Sequence, residues 1–261
     1  MNKSLSIIMA LMSVNAYAVD ASTGPNSVYI QQVGSSNTIT IEQVGGTNRV
    51  GGVTNTSSTT VDGTGLTVLT PAAPSSSNYG TITGSTNNVT VTQTGNNNSA
   101  QYNIQGNRNN YTSTVNGSSN QTSLTVGNQN NATNNDNAIS ETITGNTNTI
   151  ITNMVGGNNT LSTSITGNSN QVTQNVNTSN ASITNSVSGN NNFMNFQQVD
   201  ASGANGHVLV AATNGDFNSI TTQQQGTIDT TVNLNTVGSN NTITIRTSNG
   251  PIVNPMTAIA R

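Results

Sequence analysis

Cysteine and tryptophan are absent from this 261-residue chain, and histidine occurs once, at His207. No disulfide staple or thiolate metal site can form, and a lone imidazole supplies neither a His-pair metal site nor a conventional triad. Charged residues make up 5% of the sequence, against about a quarter in an ordinary domain. Five basic side chains (Lys3, Arg49, Arg108, Arg246, Arg261) cannot build a face that displaces counterions from phosphates, which argues against a nucleic-acid partner. With 31% hydrophobic and 3% aromatic residues, a conventional globular core is excluded too. Long apolar runs are also missing. The longest, Leu5 to Val14, has ten residues, where a membrane-spanning helix needs about 20, so no transmembrane segment is expected. Lys3 ahead of that run and Ala16-Tyr17-Ala18 behind it complete the pattern of a secretory signal peptide over 1–18, cleaved after Ala18.

What the chain has in abundance is glycine and asparagine at a spacing of 11 residues. Gly34 and Gly45 begin the series; Gly84, Gly95, Gly106 and Gly117 continue it, then Gly145, Gly156, Gly167, Gly189 and Gly238. Three residues after these glycines come Asn37, Asn48, Asn87, Asn98, Asn109, Asn120, Asn148, Asn159, Asn170, Asn192 and Asn241, with Asn218 in the same relation to Gly215. So short a period belongs to a stacked repeat, in which one unit buries its apolar face only against its neighbours. Inside a unit the spacing is two: Asn37, Ile39, Ile41 and Gln43 alternate with Thr38, Thr40 and Glu42, and Asn87, Val89, Val91 and Gln93 repeat the pattern. Period two with β-branched residues is a strand signal.

Each unit is thus one strand of six or seven residues and a glycine corner, where the neighbouring Asn96, Asn97, Asn107, Asn168 and Asn190 tolerate left-handed backbone. Two units make a coil of 22 residues. The expected fold is all-β, a β-solenoid of about seven two-strand coils about 35 Å long, with coils about 4.8 Å apart. Stacking would align the Asn and the Gln43 and Gln93 positions into amide ladders that satisfy one another's hydrogen bonds. An isolated repeat should not fold, because its ordering entropy is offset only by bonds formed between coils.

The stretch Gln32-Val33-Gly34-Ser35-Ser36-Asn37-Thr38-Ile39-Thr40-Ile41-Glu42-Gln43-Val44-Gly45-Gly46-Thr47-Asn48 resembles the curlin repeat, and Gln93-Thr94-Gly95-Asn96-Asn97-Asn98-Ser99-Ala100 carries the same signature. The resemblance covers about residues 27–54 and 80–250. It implies a secreted subunit of curli-like surface amyloid, self-associating into fibres that act in adhesion and biofilm matrix on a host-cell or abiotic surface. Curlin-like repeat proteins of marine bacteriophages are similar as well, and the stretch from Gly215-Asp216-Phe217-Asn218 to Val237-Gly238-Ser239-Asn240-Asn241 resembles that group, which implies a virion fibre or appendage. The Gln position is aliphatic at Ile104, Val115, Val126, Met154, Ile165, Val176 and Val187, and the central inward position is polar at Thr152, Thr163, Gln174 and Asn185.

The array is expected in blocks: repeats over 19–54, an inserted loop over 55–79, the main solenoid over 80–250 and an irregular tail over 251–261. Register slips are expected near Asn130 to Ala138 and Asp200 to Gly206. Neither cofactor, metal nor catalytic site is expected. Glu42 falls on outward parity, Glu141 lies in a unit of unsettled register, and Asp136, Asp200, Asp216 and Asp229 are read as turn residues. His207 is read as exposed or turn-adjacent. Tyr102, Tyr111 and Phe196 take inward parity, Phe193 and Phe217 outward or turn parity. An ice-binding face would need outward Thr-x-Thr pairs on successive coils; Thr38/Thr40, Thr90/Thr92 and Thr242/Thr244 fit, whereas Ser99/Gln101/Asn103 and Thr160/Ser162/Ser164 break the run.

Overall fold

The computed structural model describes residues 13–19, 26–51, 58–60, 67–69, 80–127, 134–200 and 206–248. These residues form strands and corners, with no helix among them. Sheet A runs β1 (Ser13–Val19), β4 (Thr38–Val44), β9 (Asn88–Thr94), β11 (Asn110–Asn116), β13 (Ala138–Thr144), β15 (Thr160–Thr166), β17 (Ser182–Ser188), β19 (Val208–Asn214) and β21 (Thr231–Val237). In sheet B, β2 (Ser27–Val28) with β3 (Ile30–Val33) forms the first rung, and β5 (Arg49–Gly51) with β8 (Gly80–Thr83) the second. The sheet continues with β10 (Ser99–Gln105), β12 (Gln121–Val126), β14 (Thr149–Val155), β16 (Gln171–Asn177), β18 (Phe193–Asp200), β20 (Ser219–Gly226) and β22 (Thr242–Ser248).

The chain alternates between the sheets at each corner, so from β9 onward each strand pairs in parallel with the next but one. The result is a β-solenoid of about eight turns, one more than the spacing suggests. Corner residues of successive coils are 22 positions apart in regular coils and 50, 28, 26 or 23 where extra residues are accommodated. The parallel pairing stays in register across every such excursion. Side chains tolerate this because inward parity is preserved on each rung.

The 52–79 segment leaves from the middle of a rung. Ser99 to Gln101 of β10 pair with Arg49 to Gly51, and Asn103 to Gln105 pair with Thr81 to Thr83. Meanwhile β4 pairs along its length with β9, so the coils before and after the segment belong to one stack. Within it, β6 (Ser58–Thr60) and β7 (Thr67–Leu69) form a small antiparallel pair. At the point of re-entry, a Cβ on Gly80 would lie 2.7 Å from the Tyr102 ring, so the aromatic occupies space that only glycine leaves open.

The core is the narrow layer between the sheets. Ile39, Ile41, Val89, Val91, Ile139, Ile143, Leu161 and Ile165 line one side; Val50, Ile82, Ile104, Leu124, Ile150 and Val172 line the other. Tyr102, Tyr111 and Phe196 are fully buried there, the two tyrosine rings 6.3 Å apart and tilted by 59°.

Candidate functional site

The molecule's chemistry is concentrated at the corners. A regular corner has four residues, and the third holds left-handed φ near +58°, for example Asn97, Asn158 and Arg108. Left-handed backbone therefore falls on Asn97 of the five asparagines read as its hosts; Asn96, Asn107, Asn168 and Asn190 lie one position earlier and do other work. At most corners the first position needs glycine on two counts, although Asn134 and Thr178 stand there at two others. Gly117 has φ +139°, and a Cβ there would lie 1.8 Å from the carbonyl oxygen of Gly145 on the next coil. Gly34, Gly45, Gly84, Gly95, Gly106, Gly145, Gly156, Gly167 and Gly189 share this close approach to the following coil. Gly238 has the same positive φ, but a Cβ there would meet the Asn241 amide at 3.5 Å and no backbone of a further described coil.

The fourth position carries two amide ladders, one at each edge of the solenoid. The first runs Asn26, Asn48, Asn98, Asn120, Asn148, Asn170, Asn192, Asn218 and Asn241. Each Oδ1 accepts the backbone N–H of the next residue in the series, for instance Asn148 N–H on Asn120 at 2.9 Å. From Asn48 onward it also accepts the next Nδ2–H, as from Asn148 at 3.1 Å. The same Nδ2 donates to a glycine carbonyl one coil on, as from Asn148 to Gly167 at 2.7 Å. The second ladder runs Asn37, Asn87, Asn109, Asn137 and Asn159 and then breaks: Ala181 donates its N–H to Asn159 but has no amide to pass on. One coil beyond Ala181, His207 Nδ1 lies 3.1 Å from the Thr230 backbone nitrogen and accepts its N–H, in the position an asparagine Oδ1 would take. His207 is fully buried, so its reading as exposed is corrected; its place beside a corner stands.

A further ladder lies outside these. Asn146, Asn168 and Asn190 each accept the backbone N–H of the preceding coil's second corner residue; Asp216 accepts that of Asn190 at 2.6 Å, and Ser239 Oγ accepts that of Asp216 at 3.1 Å. The outer ladder points toward the N-terminal coil and the inner one away from it. Together they satisfy two corner N–H groups per coil that no strand pairing reaches. Asn135 does the same for Asn107.

Glutamine pairs occur at both ends of the stack: Gln43 Nε2 donates to Gln93 Oε1 at 2.9 Å, and Gln198 Nε2 to Gln224 Oε1 at 2.8 Å. Between them the central inward column turns polar and remains buried through Ser113, Glu141, Thr152, Thr163, Gln174 and Asn185. Glu141 is an inward residue of β13, accepting from Tyr111 Oη at 2.9 Å and Thr152 Oγ1 at 2.8 Å. Burial pushes its carboxyl up to about 7 despite those two donors, and pushes the Tyr111 hydroxyl up as well. Gln174 Nε2 donates to Thr163 at 2.7 Å, continuing the polar column.

The outer faces differ. On sheet B the outward residues Gln101, Ser123, Thr173, Asn195, Gln197 and Gln223 are buried. On sheet A the outward residues meet solvent and stack in rows: Thr40, Thr90, Thr112, Ser140, Ser162 and Thr184 form one, and Thr92, Thr114, Thr142, Ser164 and Ser186 the next. Successive coils on one face are alternate repeats of the sequence, so Ser99/Gln101/Asn103 belongs to the other sheet and does not interrupt these rows. Thr242/Thr244 lies on sheet B. The one ion pair given by the described residues, Arg108 with Asp136, joins two exposed corner residues of adjacent coils.

Among the described residues, no group of three or more His, Asp or Glu is placed to hold a metal ion, and no helix is long and apolar enough to cross a membrane. No family model, no curated protein and no solved structure matches this chain.

Proposed function

We propose that this protein is a structural subunit that continues its own solenoid from copy to copy, forming a secreted, curli-like fibre that mediates adhesion. The observation that carries this reading is the direction of the unbroken amide ladder. Every Oδ1 in it accepts from the next coil, and Asn241 ends the described series in the geometry its predecessors use to receive one. Parallel strand edges at both ends of the stack offer the backbone equivalent. Electron microscopy and fibre diffraction of the chain from Val19 onward test it. Unbranched fibres with a strand spacing of about 4.8 Å along the axis are expected; a chain that stays monomeric at high concentration would refute it. A bacteriophage virion appendage, in which such a stack is a capped spacer, is the alternative setting, and antibody labelling of cells and virions separates the two.

A second reading is favoured by the sheet A rows. Uncharged hydroxyls repeat there at about 4.8 Å between coils and about 6.6 Å along each strand, an array suited to an ordered hydroxylated surface such as a crystalline polysaccharide or ice. Adsorption and thermal-hysteresis assays of wild type and a Thr90→Lys/Thr112→Lys/Ser140→Lys variant test it. Equal behaviour of the two proteins would remove this reading and leave the first intact.

A further inference from the structure

Sheet B has nine rungs, because β2 with β3 and β5 with β8 each complete one, and sheet A also has nine strands. The ninth strand of sheet A is β1. It pairs in parallel with β4 from Ser13 with Thr38 to Val19 with Val44. The same seven residues of β4 pair on their other side with β9, from Thr38 with Asn88 to Val44 with Thr94. Residues 13–19 thus fill a standard solenoid rung, yet they overlap the segment that the sequence marks for removal after Ala18. Without them sheet A is one rung short, and β4 presents a bare parallel edge.

We propose that the β4 edge is the acceptor for a strand from a second copy of this chain, and that residues 13–19 occupy it until the leader is cut. The proposal rests on the fibre reading and adds to it where, and when, copies join. The contact continues the inter-coil pairing that already holds the stack together. The donor must bring a sheet A strand beyond its own β21, because the described array closes in sheet B with β22. The sequence after β22 contains one stretch with that spacing, Asn254 followed at intervals of two by Met256, Ala258 and Ala260; Pro255 takes its first strand position, so its ladder would lack the N–H that this position gives in the other coils. Asn-x-apolar-x-apolar is how the rungs at Asn37, Asn87, Asn98, Asn192 and Asn241 begin. The small apolar set matches Val14, Ala16 and Ala18, which hold register with Ile39, Ile41 and Gln43. A strand tethered through residues 20–26 has an effective concentration in the millimolar range, so a second copy at micromolar concentration cannot displace it. Cutting the tether reverses that order.

Seeded elongation, followed by sedimentation and microscopy, tests this with four proteins: the uncut chain, the chain from Val19, the uncut chain carrying Asn15→Pro and Ala16→Pro, and the chain from Val19 carrying Thr257→Pro and Ala258→Pro. Neighbouring N–H groups in a strand point to opposite sides, so each proline pair removes one ladder donor whichever way the strand faces. The chain from Val19 should elongate, the uncut chain should be slower by about tenfold or more, the first proline pair should restore elongation, and the second should abolish it. Equal rates for the uncut chain and the chain from Val19, or normal elongation with the second pair, would overturn the proposal while leaving the fibre reading standing. Failure of all four to elongate would overturn both.

Discussion

The two corners of each coil do the same job with different fidelity. At one, asparagine occupies the ladder position from Asn26 to Asn241 without a break. At the other it is kept from Asn37 to Asn159 and then gives way to Ala181, His207 and Thr230. Irregular spacing does not account for the change: Ala181 follows Asn159 at the regular 22 residues, whereas asparagine is kept across offsets of 50 and 28. What the position requires can be read from the substitutions. An acceptor for the next coil's N–H is used where the side chain supplies one, as an imidazole Nδ1 does, a donor to the glycine carbonyl is used likewise, and Ala181 occupies the position with neither. Ladder continuity is thus an energetic contribution at each rung and not a condition of the fold.

That comparison can be broken most severely at the glycine that both corners share. Gly117→Ala places a methyl against a backbone carbonyl and forces an L-residue into glycine's φ, and should cost about 4 kcal/mol or more. A fall in thermal midpoint well beyond that of any ladder variant would show it. Next, Asn148→Ala in the intact ladder leaves Asn170 N–H and Nδ2 and the Gly167 carbonyl without their partner. Asn159→Ala in the broken ladder leaves only Ala181 N–H and the Thr178 carbonyl. Urea unfolding should give about 3 kcal/mol for the first and about half that for the second; equal losses would mean that ladder continuity contributes nothing.

A third prediction concerns the polar column between the ladders. The Glu141 carboxyl is raised from 4.5 to about 7 in the folded chain, so its contribution to stability is complete below about pH 4.5 and is lost as pH rises to about 7. Above that both states are ionised and no further loss follows. Glu141→Gln should remove this slope and stabilise the protein at pH 8 by roughly 3 kcal/mol relative to wild type. Parallel unfolding curves for the two proteins across pH 4 to 8 would contradict the burial of that carboxylate. The smallest effect is a repair. Ala181→Asn should restore one rung and add about 1 kcal/mol, measurable as a small rise in urea midpoint.

Much of the fold was legible because its period is short and its polarity regular. Gly-x-x-Asn followed by alternating β-branched residues specifies corner, strand and inward face together, and the two-strand coil follows from the spacing. What stayed hidden had a physical cause in each case. Asn137 escaped because Asn134 replaces the corner glycine after residues 128–133. Its coil carries Glu141 inward, so the carboxyl's place could not be read without that register. His207 was obscured because an imidazole standing in for an amide has no signature of its own. The outer ladder of Asn146, Asn168 and Asn190 was indistinguishable from turn asparagines, since accepting a bond from the coil below and adopting left-handed φ favour the same residue type. The hydroxyl rows were missed for a topological reason: neighbours on a face are every second repeat. The β1 rung was hidden because its residues also read as the end of a leader.

The central claim is that alternate repeats lie directly over one another, in register and parallel. Spin labels at Thr92 and Ser186, which occupy the same sheet A row four coils apart, test it most directly by pulsed electron paramagnetic resonance. A narrow distance distribution centred near about 19 Å, four spacings of about 4.8 Å, is the expected result. A broad distribution, or one centred beyond about 30 Å, where more than six such spacings would separate the labels, would contradict the stacked coil.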